Sequence, residues 1–222
     1  MTSRQIRCLS KSILVPATRS FFPGVRFLRA KVQESRNLLK MKTEFPAARL
    51  HRFNLNEYYQ LGELGILDQR TELIEGIVVD MEPIVPWHAS ILDILNQTFC
   101  EQAHQRFRVR VQLPIDLDLE SLPQPDLVLC RLGRYRDRHP IATDIFLVIE
   151  VADTSLAFDL GEKRALYSDA GIAEYWVIDV KAKKLTRFLQ EGKELVEGPV
   201  SSSRISPIAL PDVSIDLAEL FG

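Results

Sequence analysis

Apolar residues along this chain recur in two rhythms, one with a helical period and one with a period of two, and the first regular stretch begins near residue 54. Asn54-Leu55-Asn56-Glu57 predicts a helix running to Gly62 or Gly65, because a short polar side chain at the start accepts a hydrogen bond from an unpaired backbone amide. Residues 72–81 alternate around Gly76 and predict two strands or one bent strand, stopped by Pro83 and Pro86. Across residues 87–104, Ile91, Leu92, Leu95, Phe99 and Ala103 fall at helical spacing. Val109, Val111, Leu113 and Ile115 then alternate with Arg108, Arg110, Gln112 and Pro114, as in a half-buried strand.

Two denser apolar runs follow. Leu127-Val128-Leu129 and Ile145-Phe146-Leu147-Val148-Ile149 predict buried strands, joined by a loop over 131–143 that is rich in Arg and Pro. Residues 156–170 return to a helical period that Gly171 ends, since glycine adopts the left-handed turn after a helix most easily. Residues 174–179 and 184–189 read as a hairpin across 180–183, and the tail from 208 to 220 adds small strand and turn elements. No internal repeat or low-complexity linker is visible.

Composition narrows the class. A chain of 222 residues with 46% hydrophobic content fits one globular domain or one domain plus a tail. No apolar run approaches the roughly 20 residues that span a bilayer, so no membrane partner is expected. Three cysteines, Cys8, Cys100 and Cys130, form no CxxC pair, which suits a reducing, cytoplasmic setting. The net charge of −2 conceals an asymmetry: residues 1–43 hold ten Lys or Arg and one acid (+9), the remainder 18 bases against 29 acids (−11). Residues 1–45 are expected to be a basic extension, first of all a disordered or misassigned start ahead of Met41, with a targeting segment or a nucleic-acid-binding arm as the alternatives. Residues 46–222 are expected to form a single domain.

The candidate chemistry lies where the apolar runs end. Asp126 precedes one buried run and Glu150 ends the other, so adjacent strands would place two carboxylates side by side. On the helix over 156–170, at roughly 100° per residue, Leu160, Lys163, Leu166, Tyr167 and Ala170 share one arc, which centres the lysine on the apolar face. A desolvated ammonium needs a partner, and Asp126 and Glu150 are the obvious ones. The alternative is a lysine whose stem snorkels to water. His88, at the start of a helix, suits proton transfer or a phosphate contact and equally a structural role. Tyr167 holds the lysine or packs, while Tyr175 and Trp176 read as core. Arg131, Arg134, Arg136 and Arg138 are candidate phosphate contacts, or a solvated loop. No Walker or dinucleotide-binding glycine motif is present, so ATP and NAD are not expected.

Pro125-Asp126, Glu150-Val151, Gly161-Glu162-Lys163 with Tyr167, and the run from Ala170 to Asp179 stand in an order that resembles the Uma-two family of restriction endonucleases. That family is a branch of the PD-(D/E)XK nuclease superfamily. Glu72-Leu73-Ile74-Glu75-Gly76 followed by Pro86-Trp87-His88 is similar to its upstream signature, and the resemblance covers residues 50–200. It implies an α/β fold of the α+β kind, a restriction-endonuclease-like core with a central mixed sheet flanked by helices. It also implies a magnesium or manganese ion at Asp126 and Glu150, completed by the backbone carbonyl of Val151, because hard cations prefer oxygen ligands and retain waters. Lys163 would orient water or offset charge on the phosphate. Glu72 or Glu75 is a candidate further carboxylate. In the superfamily pattern the lysine stands two residues after the glutamate, a position that is Ala152 here, so Lys163 on the helix replaces it.

The activity so implied is metal-dependent endonucleolytic hydrolysis of nucleic acid, DNA first, with a homodimer as one candidate assembly. The alternatives are a catalytically inactive nucleic-acid or protein-binding module on the same fold, and a hydrolase of small phosphodiesters.

Overall fold

The computed structural model describes residues 50–67, 70–118, 120–201 and 203–222. The basic extension over 1–45 lies outside the described residues.

Helix α1 (Leu55–Glu63) begins with a reciprocal cap: the Glu57 amide donates to Asn54 Oδ1 at 3.0 Å and the Asn54 amide to Glu57 Oε2 at 2.9 Å. Strands β1 (Thr71–Ile74) and β2 (Ile77–Asp80) then form an antiparallel hairpin. The turn needs glycine at Gly76, where φ is +75° and a Cβ would stand 2.6 Å from Arg52 Cβ. Of the two following prolines, Pro86 opens a helix rather than merely ending a strand. It occupies the first turn of α2 (Pro86–Ala103), where a missing amide costs no hydrogen bond.

Strand β3 (Arg108–Val111) is shorter than its alternating pattern predicts, because Gln112 takes φ +51° and turns the chain, leaving Leu113 exposed. Strands β4 (Leu127–Cys130) and β5 (Ile145–Ala152) are buried along their length apart from Phe146, which is half-buried. Strands β6 (Glu174–Asp179), β7 (Lys184–Glu191) and β8 (Glu194–Glu197) complete a six-stranded sheet in the order β3-β4-β5-β6-β7-β8. Only β5 and β6 pair in parallel. A parallel pair needs a crossover, which passes over one face of the sheet.

That crossover departs from the single regular helix its period predicts. It runs as α3 (Leu156–Phe158), a π-helical turn (Asp159–Lys163) and α4 (Arg164–Asp169), ending at Gly171 with φ +74°. The π-turn carries one residue more than an α-turn, and Asp159 and Lys163, its first and last residues, are both buried. The tail pairs β9 (Arg204–Ile205) with β10 (Ile215–Asp216) and, beyond the strand and turn elements expected, ends in helix α5 (Leu217–Phe221), capped by the Asp216 carboxylate.

Two apolar layers sandwich the sheet. On one face α2 and the tail pack through Leu95, Phe99, Val213 and Leu220 on Leu127, Leu147, Ile149 and Trp176. On the other, Tyr167 of the crossover packs on Val148, Ala152, Tyr175 and Val177. The result is an α+β fold, a mixed sheet flanked by helices, as expected, and Tyr175 and Trp176 are core residues.

Candidate active site

The register of β4 on β5 sets Leu127 opposite Ile149, so Asp126, one residue before β4, meets Glu150 across the pair. Both carboxylates are buried and tied to each other's backbone. The Asp126 amide donates to Glu150 Oε2 at 3.2 Å, and the Val151 amide donates to Asp126 Oδ2 at 2.8 Å. In an extended strand a residue's N–H and C=O face the same neighbour, which turns the Val151 carbonyl toward the same side.

The crossover lowers two side chains onto Glu150. Lys163 Nζ donates to Glu150 Oε1 at 2.9 Å, and the Tyr167 hydroxyl donates to the same oxygen at 2.8 Å. Lys163 is 5% exposed, which rules out a stem snorkelling to water. Glu72 arrives from the small hairpin, its Oε1 3.2 Å from Lys163 Nζ and its Oε2 accepting the Gln124 amide. Docking of β1, where the Leu122 amide donates to the Leu73 carbonyl, takes Glu72 out of water. Glu75 does not join this group; it stands at the hairpin turn beside Arg52. His88 Nε2, from the first turn of α2, lies 2.9 Å from Asp126 Oδ1, and Gln112 Nε2 donates to the same oxygen at 3.2 Å.

Residues 55–218 match the family described as Uma2, putative restriction endonuclease. The chain belongs to the Uma2 family. A crystal structure of a putative nuclease belonging to DUF820 from Anabaena variabilis is similar in fold, with a TM-score of 0.60 at 14% identity over 76% of this chain and 97% of that one. No curated protein sequence matches the chain.

In this Uma2 chain the cluster carries surplus negative charge. Glu72, Asp126, Glu150 and Asp159 are all buried around Lys163, the one buried Lys or Arg among the described residues. Asp159 is not among the residues that the sequence singles out. Its separation of four residues from Lys163 on a helix is the available signal, and the Ser155 hydroxyl donates to its Oδ2 at 2.6 Å. Burial pushes the Glu150 carboxyl well above the carboxylate range; neighbouring acids add to that, and Lys163 only partly offsets it. Burial likewise lifts Asp159 to about 6. At Asp126 burial is outweighed by the His88 contact, the Val151 amide and Lys163, which together hold its carboxyl below the usual value. Lys163 shows the complement: desolvation favours the neutral amine, but Glu150, Glu72 and Asp159 overcome it and raise its pKa.

Among the described residues, no group of three His, Cys, Asp or Glu side chains converges as a ready-made metal cage. The donor chemistry nevertheless fits a hard cation that keeps most of its waters. A carboxylate offers about four lone-pair sites. Asp126 accepts from His88, Gln112 and Val151, and Glu150 from Lys163, Tyr167 and Asp126, so capacity remains on Asp126 Oδ2 and Glu150 Oε2. A divalent ion there would also offset the surplus charge.

The arginines of the loop after β4 are not gathered at these carboxylates. They leave β4 at its other end, and they divide by partner. Arg138 pairs with Asp144, and Arg131 donates to the Thr143 carbonyl and lies over the Phe146 ring. Arg134 and Arg136 instead line a cleft with Arg108 and Arg110. No helix among the described residues is long and apolar enough to cross a membrane.

Proposed function

We propose that this Uma2 chain is a metal-dependent endonuclease that hydrolyses phosphodiester bonds of nucleic acid, DNA first, through Asp126, Glu150 and Lys163. The observation that carries the reading is the convergence of two buried carboxylates from adjacent strands with a buried lysine from a third element. Packing does not account for it, since an unpaired buried charge costs several kcal/mol and this cluster holds a surplus of them. Asp126 Oδ2 and Glu150 Oε2, with the Val151 carbonyl, would hold magnesium or manganese. When bound, such an ion polarises the phosphate and acidifies water.

The chain's own residues do the rest. His88 and Gln112 orient Asp126 from the open side, and the backbone amides of Asp126 and Val151 lock the two carboxylates together. Tyr167 and Lys163 fix Glu150 from the closed side, where Lys163 also offsets negative charge that builds on the phosphate during attack. Glu72 and Asp159 keep the lysine protonated. Residues 46–222 act as a single domain.

The test is cleavage of supercoiled plasmid by the purified full chain with magnesium or manganese. Wild type is expected to nick or cut, and Asp126→Ala and Glu150→Ala to abolish cutting. Equal cleavage by both variants would sink the assignment. Metal-dependent turnover of model diesters without action on nucleic acid would move the reading to a small-phosphodiester hydrolase.

A further inference from the structure

Strand β3 lies at an edge of the sheet, and its side chains divide by face. Val109 and Val111 pack on the layer beneath α2, so alternation sends Arg108 and Arg110 to the opposite face. There Arg110 lies 5.5 Å from the ring centroid of Tyr135, which packs on the second layer. The loop after β4 crosses in front and brings Arg134 and Arg136 to the same place. The four arginines line an open cleft of about 490 Å³ together with Leu113 and Tyr135, and no carboxylate lines it.

These charges are unsatisfied by the protein. Among the described residues, the side chains of Arg108, Arg134 and Arg136 make no ion pair or hydrogen bond. Arg110 donates one bond to the Pro114 carbonyl at 3.2 Å, while its Nε is buried without a partner. Four like charges converge here on a body that is otherwise acidic, 18 bases against 29 acids over residues 44–222. Such a concentration of one sign is the footprint of a polyanion.

The cleft also has a direction. Gln112, which follows β3, touches Asp126 Oδ1. At about 3.3 Å per residue, Arg110 and Arg108 stand roughly 7 and 13 Å farther back along the same edge. We infer that this cleft holds the phosphate backbone of the nucleic-acid strand flanking the bond to be cut, with each guanidinium forking onto phosphate oxygens. The identity of the polyanion rests on the nuclease reading; the convergence of the arginines does not.

Binding of fluorescein-labelled duplex DNA, single-stranded DNA and RNA to the full chain, read by anisotropy across a salt series without divalent metal, tests the inference. The exposed pair Arg134→Glu/Arg136→Glu is the main variant, Arg108→Glu the second, and the exposed pair Lys184→Glu/Lys193→Glu, away from the cleft and of the same charge change, the control for net charge. The paired variant is expected to bind at least tenfold more weakly, with a salt slope shallower by about one for each phosphate that is no longer neutralised, while its melting temperature and the control's binding hold. Binding by both arginine variants within twofold of wild type would overturn the cleft. So would wild-type protein that binds no nucleic acid, or displacement of the probe by polyglutamate at equal charge concentration. Asp126→Ala separates the two readings. If it and Glu150→Ala both cut as wild type does, the nuclease reading fails, and weakened binding in the arginine variants stands alone in support of the cleft. If it is dead while the arginine variants bind and cut normally, the cleft fails and the nuclease reading stands.

Discussion

Lys163 reaches Glu150 from a helix, with Nζ 2.9 Å from Oε1, while Ala152 lies buried two residues after Glu150 on the strand. The cation thus meets the carboxylate from above the sheet instead of from the same strand. Lys163→Met is expected to lower cleavage by about 10²–10³, the cost of removing one preorganised charge partner. It also strands buried carboxylates, at about 3–5 kcal/mol of stability near neutral pH. Lowering the pH should restore part of that stability, because Glu150 already holds its proton above the usual range. Plasmid cleavage and urea unfolding at pH 5 and 8 check both halves; an unchanged cleavage rate removes Lys163 from the machinery.

Asp159 carries a pH dependence of defined sign. Its folded pKa of about 6 lies above the ordinary 3.8, so the folded state binds the extra proton between those values. The stability this represents is complete below pH 4 and lost as pH rises through 6, about 3 kcal/mol in all. In metal-free buffer, Asp159→Asn should therefore gain stability over wild type at pH 7.5 and match it near pH 4. Parallel curves for the two proteins would contradict the placement of this carboxylate.

Tyr167 both packs and donates. Its ring meets Tyr175 edge-on at 4.9 Å between centroids, and its hydroxyl bonds Glu150 at 2.8 Å. Tyr167→Phe keeps the ring and should cost about 1.5–3 kcal/mol, the range for a hydrogen bond to a charged group. Tyr167→Ala removes both and should cost more, by the roughly 3–5 kcal/mol typical of emptying an aromatic site. Guanidinium unfolding of the pair decides whether the hydroxyl is engaged; a neutral Tyr167→Phe says that it is not.

A second ion pair, its acid buried and its arginine half-buried, lies away from the site. Arg187 Nε stands 2.8 Å from Glu174 Oε1, and Glu174 Oε2 accepts the Ile208 amide, tying β6 and β7 to the tail. Glu174→Ala leaves the arginine only the Ser206 carbonyl, which its Nη2 reaches at 3.3 Å, and is expected to cost about 3–5 kcal/mol with cleavage retained at permissive temperature. Thermal melting of Glu174→Ala, Arg187→Ala and the double variant checks it, the double costing less than the sum.

Most of the fold is legible in the sequence where a local rule and the tertiary structure agree. Asn54 and Glu57 cap α1 reciprocally, Gly171 takes the left-handed turn, and the run from Ile145 to Ile149 is dense enough to demand a strand buried on both faces. The site is legible only along single elements. Asp126 opens one apolar run and Glu150 closes another, whereas Glu72 joins Lys163 through hairpin docking, a meeting of distant segments that no periodicity encodes. The same blindness hides the convergence of Arg108 and Arg110 with Arg134 and Arg136. It also stretches β3 to Ile115, because alternation does not register the positive φ of Gln112.

The π-turn before Arg164 works as a vernier. One surplus residue advances everything after it by about 100° relative to an unbroken α-helix. Shortening the turn by a single residue would leave the strands and their carboxylates in place and swing Tyr167 off Glu150. In this fold the phase of one helix, as much as the identity of any side chain, decides which residues share the carboxylate.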